Sequence, residues 1–152
     1  MHALARASYR APNSADLAAA ARSAFRATRA FDGVTLSVSS DGAPEVLAVG
    51  QLFVSNLAFY AFGLRVAPAA QPDDGLLHLV TLPWEGRARL IPMIARLRRG
   101  THVSRPGTRN WTAERITIAT GGKSPLIADT TNLGTGPVTL EVAPAALPVV
   151  AP

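Results

Sequence analysis

Apolar and polar residues alternate along several short segments of the chain, which is the period of a half-buried β-strand. The clearest segments are VTLSVSS (34–40), LLHLVTL (76–82) and WTAERITIAT (111–120). Two apolar runs, about 45–55 and 58–67, predict two further strands, and the last short strands are predicted in PLIADTT, PVTLEVA and LPVVA. Turns rich in Gly, Asp and Pro separate these segments. The pattern therefore predicts a mainly β fold, a two-sheet antiparallel β-sandwich with one or two covering helices.

Two segments have helical period instead. Asn13 or Ser14 can cap a helix over about 15–31, with Gly33 ending it. WEGRARLIPMIARLRRG (84–100) predicts a basic amphipathic helix that stops at Gly100, and Pro92 should kink this helix or mark its start. We expect residues 1–12 to be disordered and the whole chain, 1–152, to form a single domain.

Composition excludes several classes of site. The 152 residues are 48% hydrophobic, carry a net charge of +5 and include no cysteine, so disulfides and thiolate metal ligands are absent. The three histidines, His2, His78 and His102, lie too far apart in sequence for a zinc motif. The arginines are scattered and few aromatic residues lie among them, which argues against nucleic acid as a partner.

No targeting signal is evident. The N-terminus has no apolar signal region, and the uncharged stretch 46–64 holds Gln51, Ser55 and Asn56 near its middle. This stretch favours two buried strands over a membrane span. We therefore expect a cytoplasmic protein.

No catalytic motif is evident from the residues alone. The chain has no glycine-framed nucleophile, no Walker loop and no dinucleotide fingerprint. His78 is expected to be an ordinary strand residue, and His102 a loop residue or a capping contact. QPDDGLLHLVTLP (71–83) places two acids before a glycine; it is either an ordinary turn or a cation site, and the residue types alone favour the turn.

The order of several motifs resembles a known family. The frame VGQLFVSNLAFYAFGLRVAPAAQPDDGLLHLVTLP is followed by LRRGTHVSRPG and then by ERITIAT…SPLIADTTNLGTGPVTLEVAPAALPVVAP. This order is similar to the C-terminal half of the diacylglycerol kinase catalytic-domain family, which includes soluble bacterial lipid kinases and sphingosine kinase-like proteins. The resemblance implies a β-sandwich that completes the cleft of a two-domain, ATP- and magnesium-dependent kinase. The family's nucleotide-binding motif, Gly-Gly-Asp-Gly-Thr, belongs to the N-terminal domain and is not found in this sequence.

The resemblance also assigns candidate site residues. It implies that a magnesium ion is held by the Asp74 carboxylate and by the backbone carbonyls of Gln71 and Leu76. It places Asp129 on the Asp of the family's Asp-Gly-Glu motif and Thr131 on the Glu that is thought to act as base. The base is therefore missing at Thr131, and Asp129 is left as the candidate catalytic residue. In YAFG (60–63), Phe62 stands where members often have glycine and is expected to crowd that turn.

The implied function is the C-terminal half of a lipid kinase that phosphorylates a lipid hydroxyl, such as that of diacylglycerol. It would bind ATP only with an N-terminal nucleotide-binding domain and would be inactive alone. The expected partners are the lipid and either the N-terminal domain or a second copy of the chain. Peripheral contact with the inner face of the membrane is also expected. An exposed apolar patch is expected near 57–62, because the N-terminal domain would normally cover this surface. The alternative is a degenerate, non-catalytic module that binds a lipid or a partner.

Overall fold

The computed structural model of the chain describes residues 22, 31–40, 42 and 44–143. Three predictions lie outside these residues: the disordered lead 1–12, most of the helix over 15–31, and the strand in LPVVA. The chain separates into two units, residues 1–31 and 32–152, and the account below concerns the second.

Antiparallel strands make up most of the described chain, in two sheets and a hairpin. The first sheet has the order β2–β1–β6–β9, the second has the order β3–β4–β5, and β7 pairs with β8. The strands are β1 (Val34–Ser40), β2 (Glu45–Val49), β3 (Gln51–Ser55), β4 (Leu77–Leu82), β5 (Arg109–Ala113), β6 (Arg115–Ala119), β7 (Leu126–Ala128), β8 (Thr131–Gly134) and β9 (Val138–Glu141). The prediction of a mainly β, two-sheet fold is confirmed.

The main core lies between the two sheets. Alternate residues of β1 and β6, such as Leu36, Val38 and Ile116, are buried against Leu77 and Leu79 of β4. Successive strand side chains point to opposite faces, so the period-2 pattern of these segments supplies one apolar face per sheet. The two faces together form the interior of the sandwich.

A second core covers the outer face of the second sheet. Helix α1 (Leu90–Arg99) follows a 3₁₀ turn at Arg87–Arg89 and buries Met93 and Leu97. These side chains pack with Val80 and Leu82, the outward-facing residues of β4. Strand β4 is therefore apolar on both faces, as a central strand between two layers must be. Pro92 lies in the first turn of α1, where a missing N–H costs no helical hydrogen bond, so it marks the start of the helix.

Two predicted strands are each divided between the two sheets. The run 45–55 divides at Gly50 into β2 of the first sheet and β3 of the second, and the run 111–120 divides at Glu114 into β5 and β6. A Cβ atom on Gly50 would lie 3.0 Å from the backbone nitrogen of Trp84, so this corner has room only for glycine. The sequence showed these strands but not the change of sheet.

The predicted strand at 58–67 is wrong. Apart from an isolated bridge between Tyr60 and Leu64, this stretch is a loop with a 3₁₀ turn at Ala61–Gly63. Its last part packs in the second core through Val66 and Ala67, which explains its apolar sequence without strand pairing. We call residues 57–63 the aromatic loop and residues 64–70 the crossover segment.

His102 joins α1 to the crossover segment. It is completely buried in the 3₁₀ turn Thr101–Ser104, and its Nε2 donates to the carbonyl of Val66 at 3.0 Å. It is therefore a buried structural contact in the turn after α1, where the sequence predicted a loop residue or a capping contact without its burial. Among the described residues, no helix is long and apolar enough to cross a membrane.

Candidate functional site

The Asp-Asp-Gly turn leads directly into the central strand β4. The backbone N–H of Asp74 points to the carbonyl of Gln71 at 3.4 Å, and Gly75 has φ of 72°, a conformation that favours glycine. Gln71, Asp73 and Asp74 are exposed, whereas Leu76 is half-buried. The fold thus presents a tight, polar turn at one end of a strand that is anchored in both cores.

The Asp74 carboxylate is held on both of its oxygens. Oδ1 accepts a hydrogen bond from the Leu76 N–H at 2.9 Å, and Oδ2 lies 2.7 Å from Nε2 of His78. The hydrogen bond with His78, and secondly the one from Leu76, lower the pKa of Asp74 below its ordinary value. The turn therefore keeps an ionised, oriented carboxylate, which is the form that binds a cation.

Asn56 brings a further oxygen to the turn. Its Nδ2 donates to the carbonyl of Pro72 at 3.3 Å, which ties the end of β3 to the turn. Its Oδ1 is buried and has no hydrogen-bond partner among the described residues. A buried oxygen without a donor is costly unless something binds it.

These residues fit a hard divalent cation better than a soft one. The available donors are one carboxylate, one side-chain amide oxygen and the backbone carbonyls of Gln71 and Leu76, and magnesium prefers such oxygens. In the described part of the chain, no three His, Cys, Asp or Glu side chains form a cluster. A cation at this turn would therefore depend on a single carboxylate, on carbonyls and on water.

The second candidate site is the β7–β8 hairpin. Asp129 and Thr130 form the connection, because Ala128 pairs directly with Thr131. Asp129 has φ of 51°. Thr130, which stands where the Asp-Gly-Glu motif of the resemblance has its glycine, does not have a positive φ. Asp129 and Thr131 are both exposed, and within the described residues neither side chain has a hydrogen bond or ion pair. The structure records no contact that joins them to Asp74.

The aromatic loop exposes the apolar patch that the sequence predicted. Leu57, Phe59, Tyr60 and Phe62 are each at least half exposed. Phe62 has φ of 60°, a left-handed conformation that glycine adopts freely and a bulky residue rarely adopts. The guanidinium of Arg65 lies 5.6 Å from the centre of the Phe59 ring.

An apolar cleft opens on the outer face of the second sheet, with His78 in its wall. Strands β4 and β5 form one side, and the crossover segment and the 3₁₀ turn after α1 form the other. Its lining includes Ala67, Pro68, Val80, Val103 and Trp111. His78 thus connects this cleft to the Asp74 carboxylate.

Sequence reasoning missed the part that His78 plays. It was expected to be an ordinary strand residue, but it pairs with Ser55 of β3 in the sheet register and contacts Asp74. The only available signal was the spacing of four residues from Asp74, and this spacing brings side chains together in a helix, not across a turn into a strand. Only the folded turn shows the contact.

Comparison with known proteins places these features in context. The family described as "YegS C-terminal NAD kinase beta sandwich-like domain" matches residues 3–151. A protein of Bacillus subtilis (strain 168) with the name "Putative lipid kinase YtlR" is 28% identical over 124 residues, which cover 81% of this chain and 40% of that protein.

Two solved structures from Bacillus anthracis str. Sterne share the fold. One, titled as a "putative diacylglycerol kinase", has a TM-score of 0.55 and 14% identity over 78% of this chain and 39% of that one. Another, titled as a diacylglycerol kinase, has a TM-score of 0.51 and 16% identity over 81% of this chain and 47% of that one. The chain thus spans less than half the length of each of these relatives.

Proposed function

The chain belongs to the family of YegS C-terminal NAD kinase beta sandwich-like domains, and from this premise we propose that it supplies the lipid-substrate side of a diacylglycerol kinase-like active site. In this proposal it works with an N-terminal nucleotide-binding domain, which brings ATP to the lipid hydroxyl. The chain alone is inactive, because no glycine-rich phosphate-binding motif occurs in its sequence.

The observation that carries the proposal is the Asp74 turn. Its ionised carboxylate, the spacing of Gln71, Asp74 and Leu76, and the unpartnered oxygen of Asn56 support a magnesium ion at this place. Bound magnesium would supply positive charge and order the turn. His78 and the Leu76 N–H hold the carboxylate in one orientation, so the chain's own residues pre-form the site. The neighbouring apolar cleft is the proposed place for the apolar part of the lipid.

Magnesium binding can be tested without any activity. A ligand that binds only the folded state raises the melting temperature, so adding magnesium chloride should raise it for the wild-type chain. Asp74→Asn should abolish this rise, whereas the matched control Asp73→Asn should keep most of it. If magnesium changes the melting temperature of the two variants equally, Asp74 does not bind the ion and the turn is an ordinary structural turn.

Phosphotransfer is tested with labelled ATP and a panel of lipids, including diacylglycerol. The chain is assayed alone and together with a compatible N-terminal domain from a family member. We expect no product from the chain alone and only weak turnover from the pair, because Thr131 cannot take a proton near neutral pH. Loss of a general base costs about a hundred- to ten-thousand-fold in rate.

The variant Thr131→Glu tests this explanation. In the reconstituted pair it should raise turnover well above that of the wild type, and adding Thr130→Gly should help further. Robust turnover by the wild-type pair would show that the base is elsewhere, and Asp129 would then be the candidate.

The second candidate function is a non-catalytic module that binds a lipid or a partner. The exposed Thr131, which has no carboxylate of its own where the family has Glu, favours this function. If Thr131→Glu gives no gain while the chain still binds lipid or the N-terminal domain, the module is the better description.

A further inference from the structure

The outer face of α1 carries apolar residues where a helix on a protein surface normally carries polar ones. Ile91 is 79% exposed and Ile94 is 47% exposed. Since the helix turns once every 3.6 residues, Ile91, Ile94 and Arg98 lie within about 60° of one another around its axis. Met93 and Leu97, which bind the helix to the sheet, lie about 120–160° from Ile91 around the axis. Ile91 therefore points away from the second core, and Ile94 lies at the edge of the exposed side.

The helix and the turn before it are strongly basic, and Arg98 and Arg99 lie on either side of Ile91 around the helix axis. Residues 86–100 contain five arginines and no acid. Arg98 and Arg99 are exposed, and neither forms an ion pair within the described residues. The charge beside Ile91 is therefore available to an external partner.

We propose that this face of α1 docks the protein on an anionic lipid surface. A helix with an apolar strip between arginines lies in the plane of such a surface, with the apolar side chains below the headgroups and the guanidinium groups on the phosphates. Ile91 and Ile94 are the inserted residues, and Arg98 and Arg99 are the headgroup contacts. The inference goes beyond the proposed function because it names a separate surface, and it does not depend on phosphotransfer.

The charge distribution favours a membrane over a protein partner. Two isoleucines are a small apolar area for a stable protein interface, which typically buries about 800 Å² per partner. Continuous positive charge instead matches a surface that is negative over its whole extent. Each arginine near such a surface contributes about fivefold to binding.

The test is co-sedimentation of the full chain with vesicles. One set is phosphatidylcholine alone, and the other contains roughly one third phosphatidylglycerol, which gives the vesicle a negative surface. We expect the wild type to sediment with the anionic vesicles at low salt, and to be released in 0.5 M sodium chloride because salt screens exposed charges. Binding to phosphatidylcholine alone should be much weaker.

Matched variants locate the surface. Ile91→Ser should weaken binding by about tenfold, and Arg98→Gln with Arg99→Gln by about 25-fold. The controls are Val46→Ser, at a residue that is 70% exposed on β2, and Lys123→Gln, at an exposed residue in the turn after β6. All of these changes are at exposed positions, and circular dichroism confirms that each variant is folded.

Three outcomes would overturn the proposal. The first is that the wild type stays in the supernatant with anionic vesicles at low salt. The second is that the α1 variants sediment as the controls do. Alternatively, Ile91→Ser could abolish a concentration-dependent dimer in sedimentation velocity while vesicle binding is absent. That last result would assign the face to a second copy of the chain.

Discussion

His102 should make the stability of the fold depend on pH in a range where the carboxylates do not. Burial lowers the pKa of His102 below its ordinary value, and this effect prevails over the backbone carbonyls of Val66 and Arg96, which oppose it. The folded state therefore holds His102 neutral. The unfolded state takes up a proton near pH 6.5.

The sign of the effect follows from this difference. Above pH about 6.5 neither state is protonated, and the full contribution of His102 to stability is present. As the pH falls below that value, the unfolded state binds a proton that the folded state does not, and stability falls by up to about 1.4 kcal/mol per pH unit. The loss ends at the pKa of His102 in the folded state.

The assay is urea unfolding of the wild type and of His102→Gln at pH 7.5 and pH 5.5. Glutamine can still donate to the Val66 carbonyl but does not titrate, so subtracting the change in the variant isolates the contribution of His102. The wild type should lose up to about 1.4 kcal/mol more than the variant over this range. Parallel losses in the two proteins would refute the reasoning.

His102→Ala measures the contact itself. Val66 is 1% exposed, so its carbonyl would be left buried without a donor, which costs about 1–3 kcal/mol. The cavity left by the imidazole brings the expected loss to about 3 kcal/mol at pH 7.5. A loss below about 0.5 kcal/mol, the size of a surface substitution, would show that His102 does not join α1 to the crossover segment.

Three further changes test other parts of the structure. Phe62→Gly should stabilise the fold by about 1 kcal/mol, because it removes a left-handed phenylalanine whose side chain is 58% exposed; a lower melting temperature would contradict this. Gly50→Ala should destabilise the fold by about 1–3 kcal/mol, because the new Cβ would meet the backbone of Pro83 and Trp84. The control is Gly136→Ala, because a Cβ at Gly136 meets nothing within 4 Å. Glu45→Gln should leave the stability nearly unchanged, since solvent screens its half-exposed ion pair with Arg109. Urea unfolding of the single and double variants measures the coupling between the two residues, and a clear loss of stability in Glu45→Gln would contradict this.

The turn of the candidate site was visible in the sequence because Asp-Asp-Gly is local turn chemistry and Gly75 adopts the positive φ that such a turn needs. The residue types alone favoured an ordinary turn, and only the family resemblance assigned Gln71, Asp74 and Leu76 to a cation. The contact of His78 with Asp74 and the buried oxygen of Asn56 were not accessible. Both depend on β3 and β4 pairing in one register, which no local pattern encodes.

The sequence by itself determined most of the strands and which of their residues face a core, although it also predicted a strand at 58–67 that does not form. A period of two is a local property, and the alternation in 34–40 and 77–82 is visible without any partner strand. It also determined where α1 ends, because Gly100 acts through its own backbone angles. The predicted helix over 84–100 left the start open, since Pro92 could either kink the helix or lie in its first turn.

Only the tertiary structure decided which sheet each strand joins. The uninterrupted apolar run at 45–55 contains two strands in different sheets, since Gly50 lets the chain pass close to the backbone at Trp84. The apolar residues at 64–70 are buried without pairing because α1 and β4 cover them. Burial can be satisfied by any apolar neighbour, so hydrophobicity shows that a residue is inside and not which element lies against it.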